Sequence, residues 1–103
     1  DVTQGLAKCW VNFDGTGTVA IRASGNVSSI TDNGTGDYTV NFTTAMSDAN
    51  YAVTVGFDVT DNNPTRSTHS FDMYNFLTTS VRVLTTGGGG AQDFPYVFLA
   101  IFR

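Results

Sequence analysis

Two neighbouring stretches of the chain alternate strictly between apolar and polar residues. In the first stretch, 37–43, Tyr38, Val40 and Phe42 fall on one face and polar residues fall on the other. After a break at 44–50, the stretch 51–57 repeats the pattern with tyrosine, valine and phenylalanine. A period of two among β-branched and aromatic residues is typical of strands with one buried face. We therefore predict two strands here, and we expect them to pair through the loop at 44–50.

Shorter strand patterns occupy much of the remaining chain, and helical periodicity is absent throughout. Strands are predicted at 6–13, 18–23, 27–31, 79–85 and 94–102, with Phe71, Met73 and Tyr74 returning to the core between them. In the second of these strands we expect Val19 and Ile21 to face inward, and 27–31 is polar enough for an edge strand. About eight short strands with turn signals every 8 to 12 residues favour one all-β domain over 1–103, an antiparallel, jelly-roll-like β-sandwich.

The last predicted strand is apolar on both faces. Val97, Leu99 and Ile101 alternate there with aromatic residues and Ala100. A strand buried on both sides is unusual in so small a domain. It is either central in the sandwich, or one of its faces meets another subunit.

Charge and cysteine content exclude several classes of partner. The chain has five cationic and nine acidic residues, a net charge of −4 and a single cysteine, Cys9. So few scattered cations cannot form the basic face that phosphate binding needs, so we expect neither nucleic acid nor an anionic membrane surface as partner. No apolar run approaches the roughly 20 residues of a membrane-spanning helix, and we expect no membrane insertion. Cys9 cannot form an internal disulfide and is predicted to be a buried apolar residue.

Two glycine-rich motifs resemble ligand-binding loops only in composition. Residues 15–20 fit G-x-G-x-x-A, but a strand follows them where a dinucleotide site needs a helix N-terminus. Residues 32–37 contain aspartate and asparagine, but Thr43 occupies the position where a calcium loop has its bidentate glutamate. We predict turns at both places, with no cofactor and no metal.

His69 is the only histidine, and it does not belong to a recognisable catalytic constellation. Ser67, Ser70 and Asp72 lie beside it in one polar stretch, but neighbouring residues on a strand point to opposite faces. All nine acidic residues are aspartates, which leaves few choices for an acid–base pair. The sequence therefore predicts no catalytic residue and no enzymatic activity.

The block 10–57, WVNFDGTGTVAIRASGNVSSITDNGTGDYTVNFTTAMSDANYAVTVGF, resembles a domain of tailed-bacteriophage and prophage virion proteins. These are tail fibres and related host-recognition proteins, in which the domain usually lies near the C-terminus. Gly25 and Ser47 depart from the resemblance, because a bulkier residue and a proline are expected there. Residues 58–92 resemble no family.

The resemblance implies a receptor-binding, homotrimeric fibre tip in the virion, produced in the cytoplasm of the bacterial host. The chain begins at Asp1 without methionine, so we expect it to be the C-terminal tip of a longer fibre. One face of the last strand would meet the threefold axis, and we assign Val97, Leu99 and Ile101 to that contact.

The receptor implied is a bacterial surface glycan or an outer-membrane protein. Sugar sites combine aromatic rings with planar polar side chains, and the candidates for contact are Trp10, Asp61, Asn62, Asn63, Arg66, His69, Tyr74 and Gln92. The alternative is a structural virion module that trimerises, caps or decorates the fibre without receptor contact. A depolymerase is disfavoured by the small size and by the carboxylates present.

Overall fold

Two antiparallel sheets packed face to face make up the domain. The computed structural model describes residues 7–58, 70–87 and 90–103, and it has no helix in these ranges. The first sheet has the order β2-β1-β9-β5, and the second has the order β3-β4-β7-β6 with β8 paired to β7. The predicted antiparallel β-sandwich is therefore confirmed. The strands are β1 (Cys9–Asp14), β2 (Ala20–Gly25), β3 (Val27–Gly34), β4 (Asp37–Phe42), β5 (Ala52–Asp58), β6 (Ser70–Tyr74), β7 (Ser80–Gly87), β8 (Gly90–Ala91) and β9 (Tyr96–Phe102).

The core lies between the sheets and follows the alternation of the sequence. Each inner strand contributes every second side chain, and burying one such side chain contributes about 1.5–3 kcal/mol. Cys9 belongs to this core as predicted, and burial raises the pKa of its thiol to about 11. The buried apolar residues described are Cys9, Val11, Phe13, Tyr38, Val40, Phe42, Met46, Tyr51, Val81, Val83, Phe94, Val97, Leu99 and Ile101.

The predicted pairing of β4 with β5 is wrong. β4 pairs with β3 and β7 in the second sheet, whereas β5 pairs with β9 in the first. The segment between them crosses from one sheet to the other, and the Met46 N–H donates to the Thr78 carbonyl (2.8 Å) on the way. Alternation shows which side chains face a core, but both sheets face the same core. It therefore could not distinguish a hairpin from a crossing between sheets.

The burial of Val97, Leu99 and Ile101 corrects their predicted contact with a threefold axis. They are 0%, 4% and 0% exposed and pack in the core, where a partner chain cannot reach them. β9 lies between β1 and β5, and the second sheet covers this face of it. The opposite face is the accessible one, with Tyr96 37% and Phe98 45% exposed. Because both faces of β9 are apolar, the sequence pattern left this choice open.

The edge strands differ in how far they are covered. β3 is an edge strand of the second sheet, as predicted, and it extends to Gly34. Val19 packs against the core, but Ile21 remains 38% exposed, contrary to the inward position expected for it. Ile21 belongs to β2, the edge of the first sheet, so the opposing sheet does not cover it.

Among the described residues, no helix is long and apolar enough to cross a membrane.

Candidate binding groove

The outer faces of the two sheets differ in chemistry. On the second sheet, polar side chains satisfy one another, as where the Asn41 amide donates to Ser29 Oγ (3.1 Å) and Thr31 Oγ1 (2.9 Å). On the first sheet, the outer face presents exposed aromatic rings, including Trp10 at 43% and Phe98 at 45%. Exposed aromatic residues that share one face of a sheet often mark a binding surface. The outer face of the first sheet is therefore the candidate functional surface.

Strand register brings the residues of this surface together. Trp10 lies opposite Ala100, and Asn12 lies opposite Phe98, across the β1–β9 pair. Thr54 faces Ala100 from the other side, across the β5–β9 pair. This arrangement forms a groove of about 420 Å³, which we call the aromatic groove. Its volume is in the range of sites that bind small ligands. It is lined by the outward-facing residues Trp10, Asn12, Thr54, Phe98 and Ala100, and by Val11, Val55 and Leu99 of the same strands, whose side chains pack in or against the core.

Each of the two main rings lies over a glycine of the adjacent edge strand. Gly25 is opposite Trp10 across the β1–β2 pair, and a Cβ added to Gly25 would overlap the indole Nε1. Gly56 is opposite Phe98 across the β5–β9 pair, and a Cβ there would overlap the phenyl ring. The two rings therefore rest on backbone at opposite edges of the sheet.

One polar atom of the groove lining is shielded from solvent without a protein partner. Asn12 Oδ1 is buried and accepts no hydrogen bond, the one such side-chain atom in the part of the chain that the structure describes. A buried acceptor left unpaired costs about 1–3 kcal/mol. Thr54 contributes a hydroxyl whose bond to the Ala100 carbonyl is long, at 3.5 Å. The Thr54 hydroxyl can form a hydrogen bond with a ligand hydroxyl that reaches it, whereas Asn12 Oδ1 becomes available to one only when the Asn12 side chain turns toward the groove.

A pair of opposite charges lies on the same sheet, beyond the residues that line the groove. The Arg22 guanidinium stacks over the Tyr96 ring (4.4 Å to its centroid) and donates to the Pro95 carbonyl (2.9 Å). It lies 3.6 Å from Asp14, whose pKa is lowered mainly by the hydrogen bonds from Thr16 and further by Arg22. The charges at this position offset each other, and none of the groove-lining residues is charged.

The structure brings few of the predicted contact residues together. Trp10 lines the aromatic groove, but Tyr74 lies on the second sheet, where its hydroxyl donates to Asp37 (3.2 Å). Gln92 is exposed between β8 and β9, and its N–H donates to the Thr85 carbonyl (3.0 Å). The other candidates, Asp61, Asn62, Asn63, Arg66 and His69, lie outside the described residues.

Several residues of the groove were missed by the sequence analysis. Phe98, Asn12 and Thr54 were not among the predicted contact residues. A signal was present for Gly25 and Gly56, because glycine inside a strand often marks a close approach of another group. The pairing register that places a ring over each glycine is not visible in the sequence.

Comparison with protein-family models, curated proteins and solved structures found no match for this chain. Within the described ranges, no three histidine, cysteine or acidic side chains form a group that could hold a metal ion. The groove combines two aromatic faces, an amide and a hydroxyl.

Proposed function

We propose that this domain is the receptor-binding tip of a bacteriophage tail fibre and that its aromatic groove binds a bacterial surface glycan. The resemblance of residues 10–57 to virion host-recognition domains supports the fibre and the virion location. The pair of exposed rings at Trp10 and Phe98 supports the glycan, and it is the observation that carries the proposal.

The chemistry of the groove favours an uncharged sugar chain over other ligands. Aromatic faces pack against the C–H faces of sugar rings, while the Thr54 hydroxyl can pair with a sugar hydroxyl. The lining has no charged residue, so nothing in it neutralises a phosphate or a carboxylate. A single shallow site of this kind binds weakly, and a homotrimeric fibre would gain affinity through avidity.

The groove binds without catalysing a reaction. The groove-lining residues include no carboxylate, imidazole or thiol that could act as an acid, base or nucleophile. The Asp14 carboxylate lies beside Arg22 and outside the lining. It accepts hydrogen bonds from the Thr16 hydroxyl (2.6 Å) and from the Thr16 N–H (2.9 Å).

Binding to a printed array of bacterial surface polysaccharides, followed by adhesion to cells that carry the recognised polysaccharide, tests this function. We expect the wild-type domain to bind, and we expect Trp10→Ala to weaken binding at least about tenfold by removing one stacking surface. Leu77→Ala is the matched control, since Leu77 is 53% exposed and does not line the groove. A wild-type domain that binds no polysaccharide and no bacterial cell overturns the proposal.

The alternative, a structural fibre module, is favoured by one observation. The outer face of β9 carries Tyr96, Phe98 and Phe102, and an apolar face of this kind also fits a contact between subunits. Sedimentation at micromolar concentration separates the two functions. If Phe98→Ala converts a trimer to monomers, the face is a subunit contact; if it abolishes glycan binding in an unchanged assembly, the face is the receptor site.

A further inference from the structure

We propose that Gly25 and Gly56 are positioning residues that hold the two rings of the aromatic groove apart and flat, so that each ring stacks on a different sugar of one uncharged chain. This inference rests on the proposed glycan-binding function. It adds to that function the residues that shape the site and the minimum length of the ligand.

The backbone itself does not explain these glycines. Positive φ angles occur at Gly17, Gly34, Gly36 and Gly90, but not at Gly25 or Gly56. A glycine inside a strand loses more conformational entropy on folding than an alanine would, so it weakens the strand. At both positions the space for a Cβ is occupied by an aromatic ring, which supplies the reason for glycine.

The two rings lean toward opposite edges of the first sheet, each over its own glycine. Gly25 lies in β2 and Gly56 in β5, the two edge strands of the first sheet, whereas Trp10 and Phe98 come from the central strands β1 and β9. Each ring therefore leans from the centre of the sheet toward an edge. The strip between them, which includes Asn12 and Ala100, stays open as the floor of the groove.

The geometry also sets the length of ligand that can use both rings. Trp10 and Phe98 are diagonal neighbours across the β1–β9 pair, and such neighbours are about 7–8 Å apart. Because each ring leans outward from there toward a glycine at an opposite edge of the sheet, the rings lie farther apart still and stack on two different sugars of one chain rather than on a single sugar. Rings already held in the bound arrangement lose less conformational freedom on binding. A Cβ at either glycine would push its ring off the sheet and into the groove.

Trp10 is the only tryptophan in the chain, so its fluorescence reports on the groove directly. In Gly25→Ala we expect a changed emission maximum, lower anisotropy from a more mobile indole, and at least about tenfold weaker binding to the polysaccharide selected by the array. In Gly56→Ala we expect the same loss of binding with unchanged Trp10 emission. Ser24→Ala is the matched control, because Ser24 is the exposed neighbour of Gly25 in β2.

Fragments of the same polysaccharide, separated by length, test the two-ring requirement. We expect the monosaccharide to bind at least about tenfold more weakly than a fragment of three or more sugars. Equal affinity of monosaccharide and trisaccharide overturns this part of the inference.

The outcomes separate the inference from the proposed function. A wild-type domain that binds no glycan overturns the function, while the fluorescence of Gly25→Ala still decides whether glycine seats the indole. Wild-type affinity and emission in Gly25→Ala overturn the positioning role. A fall in melting temperature large enough to explain the lost binding by unfolding also overturns it.

Discussion

The hydroxyl of Tyr38 lies 2.6 Å from the carboxylate of Asp93 and 2.9 Å from the carbonyl oxygen of Gly15, and these two acceptors share its single proton. Tyr38 belongs to β4 in the second sheet, whereas Asp93 precedes β9 and Gly15 follows β1, both strands of the first. The Gly36 N–H donates to the same carboxylate oxygen at 2.7 Å. Burial and the neighbouring Asp93 raise the pKa of Tyr38, so its hydroxyl stays protonated and able to donate. This buried contact joins the two sheets at one end of the sandwich.

Removing the Tyr38 hydroxyl should weaken this contact between the two sheets without creating a large cavity. We expect Tyr38→Phe to lower the free energy of unfolding by about 1–3 kcal/mol, because the Gly15 carbonyl and the Asp93 carboxylate lose a donor. Urea denaturation followed by circular dichroism measures the change. Tyr96→Phe, on an exposed ring, is the control and should leave stability nearly unchanged. A Tyr38→Phe variant as stable as wild type would show that water replaces the hydroxyl at no cost.

The two faces of β9 should respond differently to truncation. Ile101 is fully buried, so we expect Ile101→Ala to cost about 2–5 kcal/mol through lost burial and a remaining cavity. Phe98 is 45% exposed, and Phe98→Ala should cost less than about 1 kcal/mol. Thermal denaturation of both variants makes the comparison. The reverse order of stabilities would contradict the inward position of Ile101 and the outward position of Phe98.

Stability should fall in alkaline solution. Burial raises the pKa of Cys9 from 9.0 to about 11 and that of Tyr51 from 10.0 to about 12. The unfolded chain therefore loses these protons first, so the stabilisation is complete below about pH 9 and is lost as pH rises through 11 and 12. Urea midpoints from pH 7 to 11 test this.

Cys9→Ala provides the control for the alkaline experiment. The variant should be less stable than wild type at pH 7, because it leaves a small cavity, but its stability should decline less steeply between pH 9 and 11. An identical pH profile for wild type and Cys9→Ala would exclude the thiol as a source of the effect.

An ion pair on the second sheet should contribute to stability except in acid. Arg82 donates two hydrogen bonds to Asp37 (2.8 and 2.6 Å), and its guanidinium stacks over the Tyr74 ring at 5.1 Å. These bonds from Arg82 are the main cause that lowers the pKa of Asp37. The contribution is therefore present above the ordinary pKa of 3.8 and is lost as pH falls through the lower folded value.

Asp37→Asn tests this pair. We expect the variant to be less stable than wild type at pH 7, with the difference shrinking as the pH is lowered below 3.8. Chemical denaturation at pH 7, 4 and 2.5 measures the difference, and Asp72→Asn on exposed β6 is the control. A constant difference across that pH range would mean that the amide perturbs packing rather than charge.

Much of the core could be predicted from local pattern alone. The alternation at Tyr38, Val40 and Phe42 identified buried residues correctly, because a strand sends successive side chains to opposite faces whatever its neighbours are. The same rule placed Trp10 on the outer face. Of the candidate site, only Trp10 was predicted, since it is the one groove residue whose outward position and aromatic chemistry are both visible in its own strand.

Other features depended on contacts between distant parts of the chain. β4 and β5 look like a hairpin in sequence, and only the two-sheet packing separates them. β9 is apolar on both faces, so its orientation depended on the sheet that covers it.

Sequence by itself determined the all-β class, the strand periodicity and most of the buried positions. Tertiary structure alone decided the strand order, the exposed face of β9 and the seating of Trp10 over Gly25 and of Phe98 over Gly56. Periodicity is a property of a few neighbouring residues. Register and sheet order come from burial and hydrogen bonding between strands far apart in the chain, and the aromatic groove exists only once those pairings have formed.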